Sequence, residues 1–491
     1  MSTAASHINL ANAVAASPEL LPEAIFRAYD IRGIAGTELT PHGVHLIGRA
    51  IGSLALAHGH PGILFGADGR LSSPELSLAL KDGILSEGCD VIDLGLVPTP
   101  LLYFATHTTE TSSGVMLTAS HNPADYNGIK IVRHRHCLTP EQIQGIREQA
   151  LFLDSEQTEQ QRETITPGRG VLRQLNILPA YLARVCADIN LRRRLKVVVD
   201  CGNAVPGLVA PAVLEAIGCD VSPLYCDLDG SFPNHHPDPT VHKNLAHLIN
   251  TVKSQNADLG IGLDGDGDRV VMVTNEGHVI DTDRLLMLFV RDILPKYKQP
   301  RAVYDVKCSN LLAGEISRYG GQPVMSRSGH SFMKQTMQET GAVVGGEFSA
   351  HIFIKDRWFG YDDGIYVAAR FLEILASSDQ TAEQMLRSLP RSIVTPELRI
   401  EVSDEHKFKL MERLLKLVDF PAATVNCLDG IRADFRDGWG LIRASNTTPA
   451  LLLRFEADNS QSLLGIQDAF RRLLQEVDPQ LDFSLQPDFS L

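Results

Sequence analysis

Apolar runs of strand length alternate with stretches of helical spacing along most of the chain. Runs such as Ile63–Ala67 and Val91–Leu94 are bounded by glycine, proline or polar turns, whereas Thr40–His58 and Ser73–Glu87 repeat apolar residues at helical spacing. Regular alternation of strands with helices is typical of an α/β sheet. The pattern therefore predicts an α/β domain in the first part of the chain.

The same order of elements returns twice. In the first part, Val115–Val132 consists of two apolar runs on either side of a polar loop. Leu259–Leu263 and Val270–Thr274 flank a second polar loop, and Ala342–Gly345 and Ile352–Ile354 flank a third. The repeated order predicts three similar α/β mixed-sheet domains, each of which presents a loop between two strands.

The last hundred residues follow a different pattern. Trp439–Ala444 and Leu451–Ala457 are predicted strands, and Asp404–Val418 and Ser460–Glu476 are predicted helices, which indicates a smaller C-terminal α+β domain. A polar stretch at 154–170 is typical of a linker. The predicted parts are a loose N-terminal leader at 1–22, a first domain at 23–165, a second at 166–278, a third at 279–390 and a fourth at 391–491.

Composition narrows the class of protein. At 491 residues the chain is too long for one hydrophobic core, and its net charge of −14 argues against binding to nucleic acid. Nothing in it resembles a secretion signal or a membrane span. Its 8 cysteines contain no C-x-x-C pair, so we interpret them as reduced thiols. These features predict a cytoplasmic protein that binds neither nucleic acid nor a membrane. Separately, we expect a monomer or a weak oligomer.

The first candidate loop holds Ser120, and Lys130 follows it at the start of the returning strand. An exposed loop of this kind lifts a serine hydroxyl out of the sheet. Turn-forming residues such as Pro123 and the Asn127-Gly128 pair explain most of the composition, however. Local sequence alone therefore favours a polar hairpin tip over a reactive serine.

The second loop, Asp264-Gly265-Asp266-Gly267-Asp268-Arg269, has three carboxylates at alternate positions. Oxygen ligands in this number suit a hard divalent cation, and Mg²⁺ that also binds a phosphate fits best. The loop fails as an EF-hand, because the glycine and glutamate that the motif requires are Arg269 and Asn275 here. The alternative is a solvated acidic turn, in which the aspartates would repel one another.

Two further loops carry polar groups. Glu347, Ser349 and His351 alternate in the third loop, which suits recognition of sugar hydroxyls, although an ordinary polar turn explains them equally well. The fourth loop gathers a guanidinium, hydroxyls and an amide at Arg443 and at 445–447. Arginine offers a bidentate fork to phosphate, so this loop predicts a phosphate site. By contrast, His134-Arg135-His136-Cys137 is better explained as a polar hairpin than as a metal cluster.

Taken together, the four loops resemble those of the α-D-phosphohexomutases. T-A-S-H-N-P with the trailing N-G-I-K, D-G-D-G-D-R, G-E-F-S-A-H and R-A-S-N-T-T-P occur in the order and at the domain-sized intervals of that family. The first and third motifs look like those of its bacterial phosphomannomutase/phosphoglucomutase branch. Phe348 and Ala350 depart from the usual G-E-M-S-G-H of the sugar loop.

The resemblance implies four domains around a central cleft and an isomerase. Ser120 would carry a phosphoryl group, and one Mg²⁺ would be held by that phosphoserine and the three aspartates. Lys130, Arg32 and His330 would be candidates for proton transfer. The matching site residues are, for catalysis, Ser120, Lys130, Arg32 and His330; for metal binding, Ser120, Asp264, Asp266 and Asp268; and, for substrate binding, Tyr29, Arg269, Lys307, Glu347, Ser349, His351, Arg443, Ser445, Asn446 and Thr447.

The implied reaction interconverts hexose 1-phosphate and hexose 6-phosphate, with mannose, glucose or both as the sugar. It would proceed through a hexose 1,6-bisphosphate that serves as intermediate and activator and reorients in the cleft. Phosphoglucosamine mutase is the alternative within the family. A metal-dependent phosphatase and a non-catalytic phosphosugar-binding regulator are alternatives from other classes of protein.

Overall fold

The structure of the chain is a computed structural model that describes residues 20–154, 168–445 and 448–484. Within these ranges, every helix is too short or too polar to cross a membrane. Asn446, Thr447 and most of the predicted leader and linker lie outside the described residues. At the end of the leader, Leu21 is buried in the first hydrophobic core.

The first domain is built on a seven-stranded sheet. Its strands are β1 (Ile31–Ile34), β2 (Gly62–Ala67), β3 (Asp90–Leu96), β4 (Gly114–Leu117), β5 (Tyr126–Arg133), β6 (His136–Cys137) and β7 (Leu172–Gln174). Its helices are α1 (Pro41–Ala57), α2 (Ser73–Ser86), α3 (Thr99–Thr108) and α4 (Pro140–Asp154). The strand order is β1-β5-β4-β2-β3-β7, and β6 pairs with β5.

Alternate residues of β2 face two different cores. Ile63 and Phe65 pack with α1, α2 and α4, whereas Leu64 packs with α3 and with the next two domains. Helix α1 begins where the Thr40 side chain accepts a hydrogen bond from the Gly43 amide at 3.1 Å. Helices α1 and α2 approach each other closely at Gly83. A Cβ added there would lie 2.2 Å from the His45 carbonyl oxygen.

Two details of the first domain differ from the sequence prediction. The glycine that ends the segment Phe26–Gly33 predicts a turn there, but the residues from Ile31 form β1, which pairs antiparallel with β5. Strand β7 pairs with β3 although it follows residue 165. The first sheet therefore extends past the predicted domain boundary, since pairing with a distant strand is invisible in a short exposed segment.

The second domain has a five-stranded sheet. Its elements are α5 (Leu178–Asp188), β8 (Lys196–Asp200), α6 (Ala210–Ala216), β9 (Asp220–Leu224), α7 (Ala246–Gln255), β10 (Leu259–Leu263), β11 (Val270–Thr274) and β12 (Val279–Ile280). The strand order is β12-β11-β10-β8-β9.

The third domain has a four-stranded sheet of order β14-β13-β15-β16. Its strands are β13 (Arg301–Asp305), β14 (Gln322–Ser326), β15 (Val344–Glu347) and β16 (His351–Ile354). Its helices are α8 (Thr282–Ile293), α9 (Asn310–Arg318), α10 (His330–Thr340), α11 (Gly364–Ala376) and α12 (Ala382–Arg387). The sequence Ser328-Gly329-His330 predicts a turn, but His330 is the first residue of α10.

The three sheets share one topology, which confirms the prediction of three similar mixed-sheet domains. A parallel trio, β3-β2-β4 in the first sheet, β9-β8-β10 in the second and β14-β13-β15 in the third, pairs antiparallel with β5, β11 or β16. Each polar loop thus leaves the carboxyl end of a parallel strand. That end is where ligands usually bind in α/β sheets.

The fourth domain is an antiparallel sheet covered by helices, as the α+β prediction requires. Its elements are β17 (Ile393–Val394), β18 (Leu398–Glu401), α13 (Asp404–Leu417), β19 (Ala423–Asn426), β20 (Ile431–Phe435), β21 (Gly438–Ala444), β22 (Ala450–Ala457) and α14 (Ser460–Val477). The order is β17-β22-β21-β20-β19, and β18 also pairs with β22.

Candidate active site

Ser120 lies at the carboxyl end of β4, in contact with the second domain. Its Oγ donates a hydrogen bond to Asp264 Oδ2 at 2.7 Å and lies 3.1 Å from His121 Nδ1. The backbone of Ser120 has a φ of 51°, in the left-handed region that an L-residue seldom adopts. The conformation turns the side chain out of the hairpin and towards the aspartate loop.

The buried guanidinium of Arg70 holds the Ser120 loop in this shape. It donates to the backbone carbonyls of Ser120 at 2.7 Å and Asn122 at 2.8 Å, and also to those of Pro123 and Tyr126. Arg70 Nε donates to Asp68 Oδ2 at 3.0 Å. A single side chain therefore satisfies four carbonyl oxygens of a loop that has few hydrogen bonds of its own.

The three aspartates of the second loop are fully buried and meet Lys130. Lys130 Nζ donates to Asp266 Oδ2 and to Asp268 Oδ2, each at 2.6 Å. Thr99 also donates its hydroxyl to Asp266 Oδ2. The hairpin β4–β5 of the first domain and the β10–β11 loop of the second therefore form one charged cluster.

The electrostatics of this cluster fit a bound cation. Burial and the neighbouring Asp266 and Asp268 raise the pKa of Asp264 well above its usual range. Burial alone would lower the pKa of Lys130, but Asp266 and Asp268 outweigh it and raise that pKa. Oδ1 of Asp266 and Oδ1 of Asp268 are buried and have no hydrogen-bond partner among the described residues. One lysine cannot neutralise three buried carboxylates, and ligand oxygens of all three lie within 4.8 Å of one another.

The third domain contributes His351 next to the trio. Arg269 Nε donates to His351 Nε2 at 3.1 Å, which leaves the proton of a neutral ring on Nδ1. His351 Nδ1 lies 3.1 Å from Asp362 Oδ2 and 3.6 Å from Asp268 Oδ1. Asp362 in turn accepts a hydrogen bond from Lys334 at 2.9 Å. The histidine is therefore fixed from both sides by the second and third domains.

The first and third domains also meet at Tyr29 and His330. The two rings lie edge to face with centroids 4.8 Å apart. Burial, followed by Lys334, lowers the pKa of His330 well below its usual range. In the part of the chain that the structure describes, neither ring nitrogen has a hydrogen-bond partner. Arg32 donates to Asp30 Oδ2 at 2.5 Å and to Asn122 Oδ1 at 2.6 Å. It thus stands beside the Ser120 loop.

The sugar loop lies between β15 and β16. Ser349 Oγ donates to Glu347 Oε1 at 2.6 Å, and Lys307 Nζ lies 3.9 Å from the same carboxylate oxygen. Glu347 Oε2 is buried and has no hydrogen-bond partner within the described residues, so it could accept a hydrogen bond from a ligand.

Phe348 and Ala350, the two residues of the third loop that differ from the usual family motif, each have a distinct environment or backbone conformation. The Arg454 guanidinium stacks on the Phe348 ring, with its Cζ 3.4 Å from the ring centroid. Ala350 has a φ of 74°, where the usual glycine would be unstrained.

The fourth predicted loop, which begins at Arg443, is connected to the third domain through Asp429. Arg443 Nη2 lies 3.1 Å from Asp429 Oδ2, which accepts the Ser328 amide at 3.0 Å, two residues before His330. Ser445 Oγ accepts a hydrogen bond from the Thr448 amide at 3.1 Å. The predicted residues Asn446 and Thr447 lie outside the described residues.

Four family models match the chain in succession. The α/β/α domains I, II and III of phosphoglucomutase/phosphomannomutase match residues 23–156, 179–277 and 281–393, and their C-terminal domain matches residues 397–473. The chain belongs to the phosphoglucomutase/phosphomannomutase family. The resemblance inferred from the four motifs is thereby confirmed.

Relatives in the family match over nearly their whole length. The chain is 50% identical over 461 residues to a phosphomannomutase/phosphoglucomutase of Pseudomonas aeruginosa, covering 94% of this chain and 97% of that protein. A phosphoglucomutase of Neisseria meningitidis is 43% identical over 466 residues, with 94% and 98% coverage. The crystal structure of a family protein from Burkholderia thailandensis has a TM-score of 0.88 and 41% identity, with 94% and 99% coverage.

Three residues that contact the site of this family member lie outside the four sequence motifs and were not predicted. Arg70 holds the serine loop, Asp362 contacts His351, and Asp429 joins Arg443 to the third domain. Arg70 and Asp429 lie in loops outside the four motifs, and Asp362 precedes α11 by two residues. An arginine that follows the end of a strand by three residues is a weak signal, so only the contacts of these three residues identify them.

Proposed function

We propose that this family member is an isomerase that interconverts hexose 1-phosphate and hexose 6-phosphate, with mannose, glucose or both as the sugar. The observation that carries the proposal is the 2.7 Å hydrogen bond from Ser120 Oγ to Asp264, beside a trio of buried carboxylates. A serine hydroxyl at a cation site is suited to accept and donate a phosphoryl group. Four matched family domains support the same activity.

In the resting enzyme, Ser120 carries the phosphoryl group. The free sugar hydroxyl attacks its phosphorus, the Oγ–P bond breaks, and the hydroxyl proton passes to a base. The product is a hexose 1,6-bisphosphate, which reorients in the cleft and returns its other phosphate to Ser120. Charge neutralisation matters more than a strong base in such a transfer.

The three candidates for proton transfer have different properties. Arg32 stays charged, and Lys130 is held charged by two carboxylates, so both suit neutralisation of the phosphoryl oxygens. Burial lowers the pKa of His330, so its ring is neutral at neutral pH, and neither ring nitrogen has a hydrogen-bond partner among the described residues. Of the three side chains it alone offers a nitrogen lone pair that can take a proton. We therefore assign the base to His330. Glu347 and Ser349 would bind sugar hydroxyls, and Arg443 and Ser445 the non-reacting phosphate.

The donor set of the trio fits Mg²⁺. Asp264, Asp266, Asp268 and an oxygen of phosphorylated Ser120 would hold one ion, which would withdraw negative charge from the transferred phosphoryl group. All eight cysteines are free thiols, which supports a cytoplasmic location. A monomeric or weakly oligomeric state stays a prediction.

Mass spectrometry of the purified protein tests the phosphoserine. A fraction one phosphate heavier, mapped to Ser120 and absent from Ser120→Ala, is the expected result. Ser86→Ala, in a helix remote from the site, should keep the phosphate. A phosphate mapped to another residue would contradict the assignment.

A coupled assay that compares mannose, glucose and glucosamine 1-phosphates then tests the sugar. Turnover of the first two substrates is expected. Preference for glucosamine 1-phosphate would favour phosphoglucosamine mutase. Inorganic phosphate released at the rate of isomerisation would favour a phosphatase.

A further inference from the structure

Behind the Ser120 hairpin, the first domain contains a cavity of about 200 Å³. Its walls come from α1, β2, β4, β5 and α4, and its interior is lined by aliphatic side chains such as Ile51, Ile63, Val115, Ile131 and Ile146. We call this space the domain 1 cavity. Water among these aliphatic side chains would lack polar partners, so this part of the cavity favours an apolar group.

A glycine in the middle of α4 keeps this cavity open. Gly145 lines the cavity, and a Cβ added to it would meet no atom within 4 Å. Glycine inside a helix costs stability relative to alanine, and it is usually explained by a close approach of another segment. Among the described residues no such approach exists at Gly145, so this wall of the cavity has space for a larger side chain or for a ligand.

The mouth of the cavity is polar and short of negative charge. His60, Ser113, Arg133 and Gln142 belong to its wall. Arg133 Nη1 lies 3.3 Å from His58 Nε2, and Arg133 has no ion pair in the part of the chain that the structure describes. Burial, His134, His58 and Arg133 together lower the pKa of His60. An anionic group would complement this rim.

We propose that the domain 1 cavity binds a medium-chain monocarboxylate, with its tail among the aliphatic side chains and its carboxylate on Arg133. The guanidinium offers two parallel N–H donors to a carboxylate. An apolar cavity of ~150 Å³ binds benzene, so the volume here suits a chain of about six to eight carbons. Nothing in the proposed mutase reaction uses this site.

Calorimetric titration of the full chain with octanoate tests the proposal. Saturable binding of one octanoate per chain is expected. Butyrate should bind about 100-fold more weakly, because each buried methylene contributes to transfer out of water. Octanol should bind about 10-fold more weakly than octanoate, because it lacks the charge that pairs with Arg133. Absence of saturable octanoate binding, or equal binding of butyrate, would overturn the proposal.

Two variants locate the binding. Gly145→Leu fills the cavity and should abolish octanoate binding while mutase activity is kept. Gly465→Leu is the matched control, since Gly465 is also helical with open space around its Cβ but does not line the cavity. Arg133→Gln should weaken octanoate but not octanol, and it remains informative if Gly145→Leu does not fold. Octanoate binding that both Gly145→Leu and Arg133→Gln leave unchanged would refute the site.

Discussion

Replacement of Arg70 by methionine should slow catalysis, although Arg70 acts through the Ser120 loop and not by direct contact with the substrate. The side chain is 2% exposed and donates five hydrogen bonds, of which four go to backbone carbonyls of the Ser120 loop. Methionine fills a similar volume but leaves those carbonyls and Asp68 without this donor. The Ser120 hydroxyl would then no longer be held opposite Asp264.

The size of the effect follows from the contacts. Loss of one partner of a buried ion pair costs about 3–5 kcal/mol, which should lower the melting temperature of the protein by several degrees. A displacement of a reacting group by about 1 Å can cost ~100-fold in rate. We therefore expect kcat of Arg70→Met to fall about 100-fold while KM changes little. Arg70→Lys should recover stability through Asp68 but not kcat, because an ammonium cannot reach all four carbonyls.

The assay measures kcat and KM for the hexose phosphate, with thermal unfolding and phosphoserine content on the same samples. Arg49→Met is the control, because Arg49 forms a partly buried ion pair with Glu87 at 2.9 Å on α1, away from the loop. It should lose stability but keep kcat. Wild-type kcat in Arg70→Met, or an equal fall of kcat in Arg49→Met, would refute the role of Arg70.

Three other changes have defined outcomes. Asp266→Asn should remove the rise in melting temperature on addition of Mg²⁺ and reduce turnover at least ~100-fold; an unchanged thermal shift would exclude Asp266 as a ligand. Arg443→Ala should raise KM about 10- to 100-fold, the worth of one charged hydrogen-bonding group, whereas exposed Arg436→Ala should not; a normal KM would remove Arg443 from the phosphate site. Burial raises the pKa of Asp363 to about 7. The folded state thus binds a proton at Asp363 more tightly than the unfolded state does, so this group favours folding below about pH 4. Its contribution to the free energy of unfolding should fall by at most ~1.4 kcal/mol per pH unit as the pH rises from 4 to 7. Asp363→Asn should flatten that slope in unfolding experiments, and an identical slope would contradict the burial argument.

Local sequence predicts a large part of this fold, because strand and helix periods and turn residues act over short distances. The three strand–loop–strand units are present as predicted, and each loop leaves the carboxyl end of a parallel strand. The motifs also predict the right family. The aspartate trio is legible in the sequence because three carboxylates at alternate positions repel one another unless a cation is present.

The pairing of distant segments was not predictable in the same way. Strand β1 forms only because it meets β5, and β7 joins the first sheet although exposed and short. Whether Ser120 is a hairpin tip or a phosphate carrier cannot be read from Val115–Val132. Its partner Asp264 belongs to another domain.

Tertiary structure alone decides which groups support the motifs. Arg70 stabilises the Ser120 loop through carbonyl oxygens, which every residue type possesses, so no sequence pattern marks the contact. Asp362 reaches His351 and Asp429 reaches Arg443 across loops whose positions depend on the packing of whole domains. The repeated units and the residue types of the chemistry follow from local sequence. Their alignment into one site depends on contacts between domains, because such contacts join residues that are far apart in the chain.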